Sequence, residues 1–357
     1  MLKCLHSADW HMDSPLVGRT DAQAAYLRSE LLKIPEKIAQ LCKSEGCNLL
    51  LLSGDLFDGN YTKESLNAVR NALEEVSIPV FIAPGNHDFC GASSPYLKES
   101  FPENVHIFTH ASMESVSLPQ LDCRIYGAGY EAMDCPTLLK QFQPHGTEKW
   151  HIGILHADPL HPSSPYCPLT SQQVKNCGLD YLALGHIHKG DSFLAGDVLC
   201  AWPGCPMGRG FDESGRKGVL LVEFSEGVTT RFLPLNTPCF YDEKTDVAES
   251  AADALCALLP PMATTDFYRI TLTGYSAPLD LTALASQFPH VPNLELRDRT
   301  APEMDLWGNL NSDTLEGLYF KLLHDGMQTD SEKLQQRLKL AARISRQILD
   351  GQEVVLP

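Results

Sequence analysis

The stretch NLLLLSGDLFDGN, residues 48–60, decides how this chain is read. Leu49 to Leu52 have no polar face, so they describe a strand buried on both sides. The run then breaks into Ser53-Gly54-Asp55, with Asp58 close behind. A buried strand ends in a turn, and glycine permits a tight one. Either Asp55 only punctuates that strand or it holds something.

Working outward, apolar runs of the same kind occur at 2–6, 79–83, 123–127, 151–155 and 180–184. Helical periodicity lies between several of them. Ala24, Leu27, Leu31, Ile34, Ile38 and Leu41 share a face over 23–45, where Pro35 predicts a kink or two shorter helices. Leu66, Val69 and Leu73 align over 62–76. Strands alternating with helices predict a layered α/β domain. From 192 onward, 192–201, 217–224 and 228–234 read as strands joined by short turns, an antiparallel addition that completes the sheet. Thr237-Pro238 marks a boundary and gives a main domain over 1–236. Helix at 246–259, strand at 267–273, helix at 279–287 and strand at 294–298 predict a small α/β domain over 238–300. The tail, 301–357, carries helical patterns at 312–325 and 331–349.

Composition narrows the classes. A chain of 357 residues, 43% hydrophobic and 20% charged, fits a soluble globular protein. No apolar run approaches the ~18 residues of a membrane span. The opening MLKCLHSADWH is no signal peptide, because His6, Ser7 and Asp9 interrupt it, and a cytoplasmic location follows. The twelve cysteines are scattered without a CxxC pair, as buried thiols of a reducing compartment would be. A net charge of −17 argues against a nucleic-acid partner, unless carboxylates bind divalent ions that reverse the local sign.

The polar clusters follow the strands. Asp9-Trp10-His11 comes after the first, Gly54-Asp55 after the second, and Gly85-Asn86-His87-Asp88 after the third. His156-Ala157-Asp158 follows 151–155, and Gly185-His186-Ile187-His188 follows 180–184. Open α/β sheets bind ligands at the carboxyl ends of their strands. Imidazole, carboxylate and amide donors without thiolates suit Mn, Fe, Zn or similar ions. A pair of ions ~3.5–4 Å apart needs a shared ligand, and Asp55 is placed for that. Asp9 with His11, and His186 with His188, are alternate residues that face one way. His156 is preferred to His151, which stands at the wrong end of its strand. Taken singly, Asp9 reads as a cap, Asp55 as a strand end and His186 as a satisfied core histidine; five clusters at five strand ends read otherwise. His6, His106, His110, His145, His161, His290 and His324 lack such a context and read as structural or surface residues.

The pattern D-x-H … G-D … G-N-H-D … H … G-H-x-H resembles the calcineurin-like metallophosphoesterase superfamily over residues 1–235. The resemblance implies a layered sandwich, two sheets flanked by helices. It implies two divalent metal ions, Mn foremost with Fe, Zn or Mg as alternatives. One would be held by Asp9, His11, Asp55 and His188, the other by Asp55, Asn86, His156 and His186. His87 matches the histidine that acts at the leaving group. For Asp58 three readings stay open: a contact to a histidine, a place near substrate, or a plain turn residue.

HSADWHMDSPL and WPGCPMGRGFDESGRKGVLLVEF (202–224) are similar to the SbcD-like DNA repair exonuclease branch, its YhaO-type members above all. That similarity implies Mn-dependent cleavage of DNA phosphodiesters, 3'-5' polarity, and a capping domain that helps place the duplex. It also implies a tail docked on the coiled coil of an SbcC-like ATPase, and a homodimer. In 331–349, Leu334, Leu338, Ala341 and Ile348 make an apolar stripe, with Lys333, Arg337, Lys339, Arg343 and Arg346 on the polar side. The stripe serves either docking or packing on its own chain. Arg209, Arg216 and Lys217 are either phosphate contacts or solvated surface. Phosphoprotein phosphatases of the superfamily carry G-N-H-E and an early arginine; here G-N-H-D stands, and no arginine follows Asp58 until Arg70. No Walker A motif occurs. A phosphodiesterase for a small or cyclic nucleotide is the alternative, and the acidic charge suits it. A non-catalytic platform ranks last, since each ligand position is filled.

Overall fold

The computed structural model describes residues 1–247, 250–308, 310–351 and 353–354. They divide into two compact units, Met1–Phe240 and Tyr241–Pro357.

In chain order the strands of the first unit are β1 (Leu2–Ser7), β2 (Leu49–Leu52), β3 (Val80–Ile82), β4 (Val105–Ile107), β5 (Glu114–Leu118), β6 (Cys123–Gly127), β7 (Trp150–His156), β8 (Tyr181–Gly185), β9 (Lys189–Ala195), β10 (Val198–Gly204), β11 (Gly218–Phe224) and β12 (Val228–Pro234). They form two sheets, ordered β12-β11-β1-β2-β3-β4 and β5-β6-β7-β8-β10-β9. β1 to β4 run parallel, with Cys4 beside Leu49 and Leu50 beside Val80. β6, β7, β8 and β10 run parallel in the other sheet. Cys4, Leu49, Leu51 and Phe81 of the first sheet share one buried cluster with Ile125, Ile152, Ile154 and Tyr181 of the second. The sheets therefore pack face to face, and this mixed α/β sandwich is the expected fold. Leu50 and Leu52 project from the opposite face of β2 and are also fully buried. Each such leucine contributes about 2 kcal/mol. That explains the all-apolar run, and it anchors whatever the strand carries at its end.

His6 spans the layers: Nδ1 lies 2.8 Å from Tyr181 Oη and Nε2 lies 2.8 Å from Ser53 Oγ. Burial holds its pKa down at about 3, so the ring is neutral. The helices are α1 (Asp21–Leu31), α2 (Ile34–Glu45), α3 (Lys63–Val76), α4 (Pro95–Lys98) and α5 (Ser171–Lys175). Pro35 does split the 23–45 pattern in two; it lies in the first turn of α2, where a missing N–H is harmless. Thr20 and Thr62 close capping boxes on α1 and α3.

The structure corrects the 192–201 strand. It is a hairpin, β9 and β10, turning at Gly196, which takes φ 66°. Its strands join the second sheet while β11 and β12 join the first, so the antiparallel addition is shared between layers. β4 and β5 carry no continuous apolar run because they are short, half-buried and at sheet edges.

The second unit holds β13 (Phe240–Asp246) from its second residue on, β14 (Phe267–Thr273), β15 (Tyr275–Ser276), β16 (Asn293–Asp298) and β17 (Ala301–Pro302), with β13-β14-β16 as one sheet. Its helices are α6 (Ala251–Leu258), α7 (Leu281–Ala285), α8 (Leu315–Gly326) and α9 (Glu332–Leu349). Of the helix expected over 246–259, residues 248–249 lie outside the described residues, as do 309, 352 and 355–357 of the tail. Leu255, Ile270, Leu272, Leu284 and Phe288 form the core of the α/β part.

In α9 the expected polar side is partly turned inward. Arg343 stacks 3.2 Å from the Tyr275 ring centroid and donates to Pro302 O at 2.8 Å. Arg346 lies 4.2 Å over Phe320 and pairs with Glu316. Arginine stems are apolar and their forks stack on rings, which lets them replace aliphatic residues in a seam. Leu334, Ile348 and Leu349 are left exposed. Among the described residues no helix is long and apolar enough to cross a membrane. All twelve cysteines are free thiols, and only Cys256 is exposed.

Candidate metal centre

Three parallel strands of one sheet and two of the other end at a common seam. β1 leads to Asp9 and His11, β2 to Asp55, and β3 to Asn86 and His87. His156 is the last residue of β7, and His186 and His188 follow β8. Backbone bonds tie the loops together: Asp9 N donates to Gly54 O at 3.0 Å, and His11 N to Asp55 O at 2.9 Å. The layers are linked where His186 N donates to Asp9 Oδ1 at 3.0 Å.

The turns are tight. Asp9, His11, Asp55 and His186 take left-handed φ values of 56°, 49°, 53° and 92°. Side chains other than glycine pay about 1–2 kcal/mol each for this region, and such strain gathers at functional sites. At Gly54, itself at φ 89°, a Cβ would sit 2.6 Å from His156 Nδ1. At Gly185 it would strike Ser53 O. Only glycine lets the loops close this far.

The donors converge. Ligand atoms of Asp9, His11 and His188 lie within 4.8 Å of one another, as do those of Asp9, Asp55 and His156, and those of His11, Asp58 and His87. His156 Nδ1 donates to Ser53 O at 2.9 Å, which turns Nε2 toward two oxygens, Asn86 Oδ1 at 2.9 Å and Asp55 Oδ2 at 3.3 Å. His11 Nε2 and His188 Nε2 face each other at 3.1 Å. Asp9 Oδ2 is buried without a hydrogen-bond partner. A buried acceptor without a partner is costly unless a cation reaches it, and nitrogens this close to one another and to oxygens form a ready set of donor atoms for one. The residues therefore fit a divalent-ion site. The nearby Cys205 thiol donates to His188 O at 3.6 Å, and burial pushes its pKa up to about 12, so it stays a thiol.

His186 stands apart from those three groups: its Nε2 is 3.9 Å from Asp158 Oδ2, and its ring lies 5.3 Å from that of His156. Asp58 accepts from His87 Nδ1 at 2.6 Å, and the His87 side chain is 46% exposed. His151, at the start of β7, meets Tyr126 Oη at 2.9 Å instead. Arg209, read from sequence as either a phosphate contact or solvated surface, has a side chain only 16% exposed, and its fork holds Glu213 through Nη2 at 2.5 Å and Nε at 3.2 Å.

Charges at the seam perturb one another. Burial alone would raise the Asp55 pKa, but the imidazoles of His156, His11 and His87 outweigh it and hold the carboxyl well below its ordinary value. Burial opposes charge on His156 too, yet Asp55 and Asp9 raise its pKa to about 9. Burial and the neighbouring His156 lower His186 to about 4. The hydrogen bond to Asp58 raises His87.

Two positioning residues escaped the sequence reading. Glu213 Oε1 lies 2.6 Å from His188 Nδ1, so Nε2 is the atom left for an ion. Its signal was its place four residues after Arg209. Asp88 is the last letter of G-N-H-D. It accepts from Gly85 N at 2.7 Å, Leu56 N at 2.7 Å and Tyr96 Oη at 2.6 Å, pinning the second loop to the third.

A strand-end cluster of aspartate, histidine and asparagine at the seam of an α/β sandwich defines a metallophosphoesterase, and the chain belongs to the calcineurin-like phosphoesterase family, whose model matches residues 2–190. It is 32% identical over 239 residues to the "uncharacterized metallophosphoesterase YhaO" of Bacillus subtilis (strain 168). That match covers 63% of this chain and 58% of the relative, so the chain spans less than two thirds of that protein's length. Among solved structures it is similar to a dimetal phosphatase from Danio rerio, with 13% identity, 65% of this chain and 95% of that one covered, and a TM-score of 0.42. It is also similar to GAP50, the anchor in the inner membrane complex of Plasmodium, with 15% identity, 83% and 96% coverage, and a TM-score of 0.39.

Proposed function

We propose that the protein is a two-metal phosphodiesterase that cuts DNA, an exonuclease or endonuclease of the SbcD-like repair branch. The observation that carries the metal-dependent reading is the buried Asp9 Oδ2, an acceptor without a partner, among imidazole nitrogens that face one another or face oxygens. Asp9, His11, Asp55 and His188 would hold one ion, and Asp55, Asn86, His156 and His186 the other, with Mn the leading choice. When bound, such ions act as Lewis acids toward a phosphoryl oxygen and lower the pKa of water.

The chain's own residues supply the rest. Glu213 fixes the His188 tautomer through Nδ1. Asp58 accepts a hydrogen bond from His87 Nδ1 at 2.6 Å, which leaves Nε2 as the ring nitrogen available to a substrate oxygen. The raised pKa favours a proton on that nitrogen, which His87 can pass to a leaving oxygen. Likeness to YhaO, together with the sequence from 202 to 224, supports the repair branch. The exposed Leu318, Leu322, Leu334 and Ile348 of α8 and α9 support docking of an SbcC-like ATPase. A homodimer and a cytoplasmic location belong to the same reading. The net charge of −17 favours a second reading, a phosphodiesterase for a small or cyclic nucleotide.

The test is metal analysis of the purified protein, with cleavage of end-labelled single- and double-stranded DNA beside bis-p-nitrophenyl phosphate. Mn-dependent release of nucleotides from duplex ends, abolished in Asp55→Ala and His87→Ala, is expected. Full activity of Asp55→Ala, or turnover of cyclic nucleotides without any of DNA, would overturn the nuclease assignment.

A further inference from the structure

Beside the metal centre lies a cavity of about 480 Å³, where β9 and β10 of one sheet meet β11 and β12 of the other. Lys189, Arg216 and Lys217 line it. In a chain of net charge −17, three cations around one cavity run against the average. Among the described residues, none of the three takes part in an ion pair, whereas Lys33, Lys37, Arg124, Arg209 and Arg269 all do. The acidic residue of the wall, Asp191, accepts instead from Ser192 N at 2.8 Å.

Lys217 makes the case sharper. It is only 8% exposed, and its ammonium donates to His188 O at 3.4 Å. An ammonium has three donors, and a buried one without an anion is unfavourable. The same bond fixes the place of the cavity, because His188 is a candidate ligand and Lys189 is the next residue in the chain.

We infer that this cavity binds a phosphate of a polynucleotide strand, one further along the backbone than the phosphate at the metal centre. The inference rests on the phosphodiesterase reading and narrows its substrate class. A strand carries a charge at every nucleotide, so it can fill both places at once. A substrate with a single phosphate cannot. The cations also explain how an acidic protein tolerates a polyanion: the charge that matters is local.

The experiment uses the full chain with Mn2+ and a fluorescent, phosphorothioate-protected single-stranded oligonucleotide, with anisotropy read over a range of salt. Lys189→Ala and Arg216→Ala remove exposed cations, so folding is not at stake as it is for Lys217→Met. Arg231→Ala, which removes an exposed cation paired with Glu45, is the charge-matched control. Each cavity variant is expected to weaken binding about three- to tenfold and to reduce the slope of log K against log salt by about 0.7. The control is expected to keep the wild-type slope. Turnover of bis-p-nitrophenyl phosphate, which has one phosphate, should fall far less than oligonucleotide affinity.

Equal slopes in wild type and cavity variants, equal loss on both substrates, or no oligonucleotide binding by the wild type would overturn the inference. If the wild type hydrolyses bis-p-nitrophenyl phosphate while the slopes stay equal, the cavity assignment fails alone. If it hydrolyses nothing while the slopes shift as stated, the hydrolytic reading fails alone.

Discussion

Replacing Glu213 by Gln tests whether the His188 side of the centre depends on one buried carboxylate. Glu213 Oε1 faces His188 Nδ1 at 2.6 Å and Arg209 Nη2 at 2.5 Å. Oε2 accepts from Arg209 N at 2.8 Å and Arg209 Nε at 3.2 Å. Burial would raise the Glu213 pKa, but His188 and Arg209 hold it well below the ordinary range, so the native group is a charged acceptor of four bonds. Glutamine keeps the shape but offers one oxygen, and its amide nitrogen must then face donors. If the oxygen stays with Arg209, His188 loses both its tautomer lock and its orientation. The Arg209 guanidinium, with Nη2 3.2 Å from His188 Nδ1, also loses its nearer counter-charge, keeping only Asp58 Oδ2 at 3.9 Å, and repels a cation bound nearby. A hydrogen bond to a charged group is worth about 1.5–3 kcal/mol. That corresponds to a ten- to hundredfold loss of divalent-ion affinity, the range usual for carboxylates behind a histidine ligand. The assay is calorimetric titration of chelator-treated protein with MnCl2, using Glu223→Gln as control, since Glu223 pairs with Lys3 at the surface. Affinity of a folded Glu213→Gln protein within twofold of wild type would refute the reasoning.

Three further outcomes are expected. Divalent ions should stabilise the chain by about 2.7 kcal/mol at a hundredfold excess over Kd, read as a rise in Tm, and no shift with Mn, Fe, Zn or Mg would speak against the centre. Gly54→Ala forces a Cβ onto His156 Nδ1 at a φ of 89°, and should lose at least about 1–2 kcal/mol in denaturant titrations together with Mn binding. A neutral-to-mild result would show that the loops have room the geometry denies. His6, neutral with a folded pKa of about 3, makes stability fall as pH drops from about 6.5, because the unfolded chain takes up the proton first. The loss should approach 1.4 kcal/mol per pH unit over that window, and His6→Gln should flatten the slope between pH 6.5 and 5; equal slopes would exclude this histidine as the cause.

The parts legible in sequence were those where one residue type has one use. Four leucines in a row could only be a strand covered on both sides, and five polar clusters behind five apolar runs marked the seam. The hairpin at Gly196 was missed although Gly196-Asp197, between the apolar runs 193–195 and 198–201, is a two-residue turn signal. The sharing of strands between two layers was hidden because pairing partners lie far apart in the chain, as with β1 and β11. Glu213 and Asp88 were hard to read because each acts through another residue, and such roles depend on distances that spacing does not encode. The Arg209–Glu213 pair was hard to read for a related reason: an arginine near a phosphate site looks the same in sequence whether it meets substrate or a carboxylate. Arg343 and Arg346 show the limit of polarity as a guide to burial, since their stems and stacked forks fill a seam that leucine would otherwise fill.

The seam itself has a mechanical consequence. With donors from Asp9, His11 and Asp55 on one layer, and from His156 and His188 on the other, an ion seated there would act as a rivet through two plates. Sliding one plate against the other by a fraction of an ångström would stretch several coordinate bonds together. Occupancy of the centre should therefore stiffen the whole sandwich against shear, and slow amide exchange at Tyr181 and Ile154 in mid-sheet as well as in the loops that touch the ion.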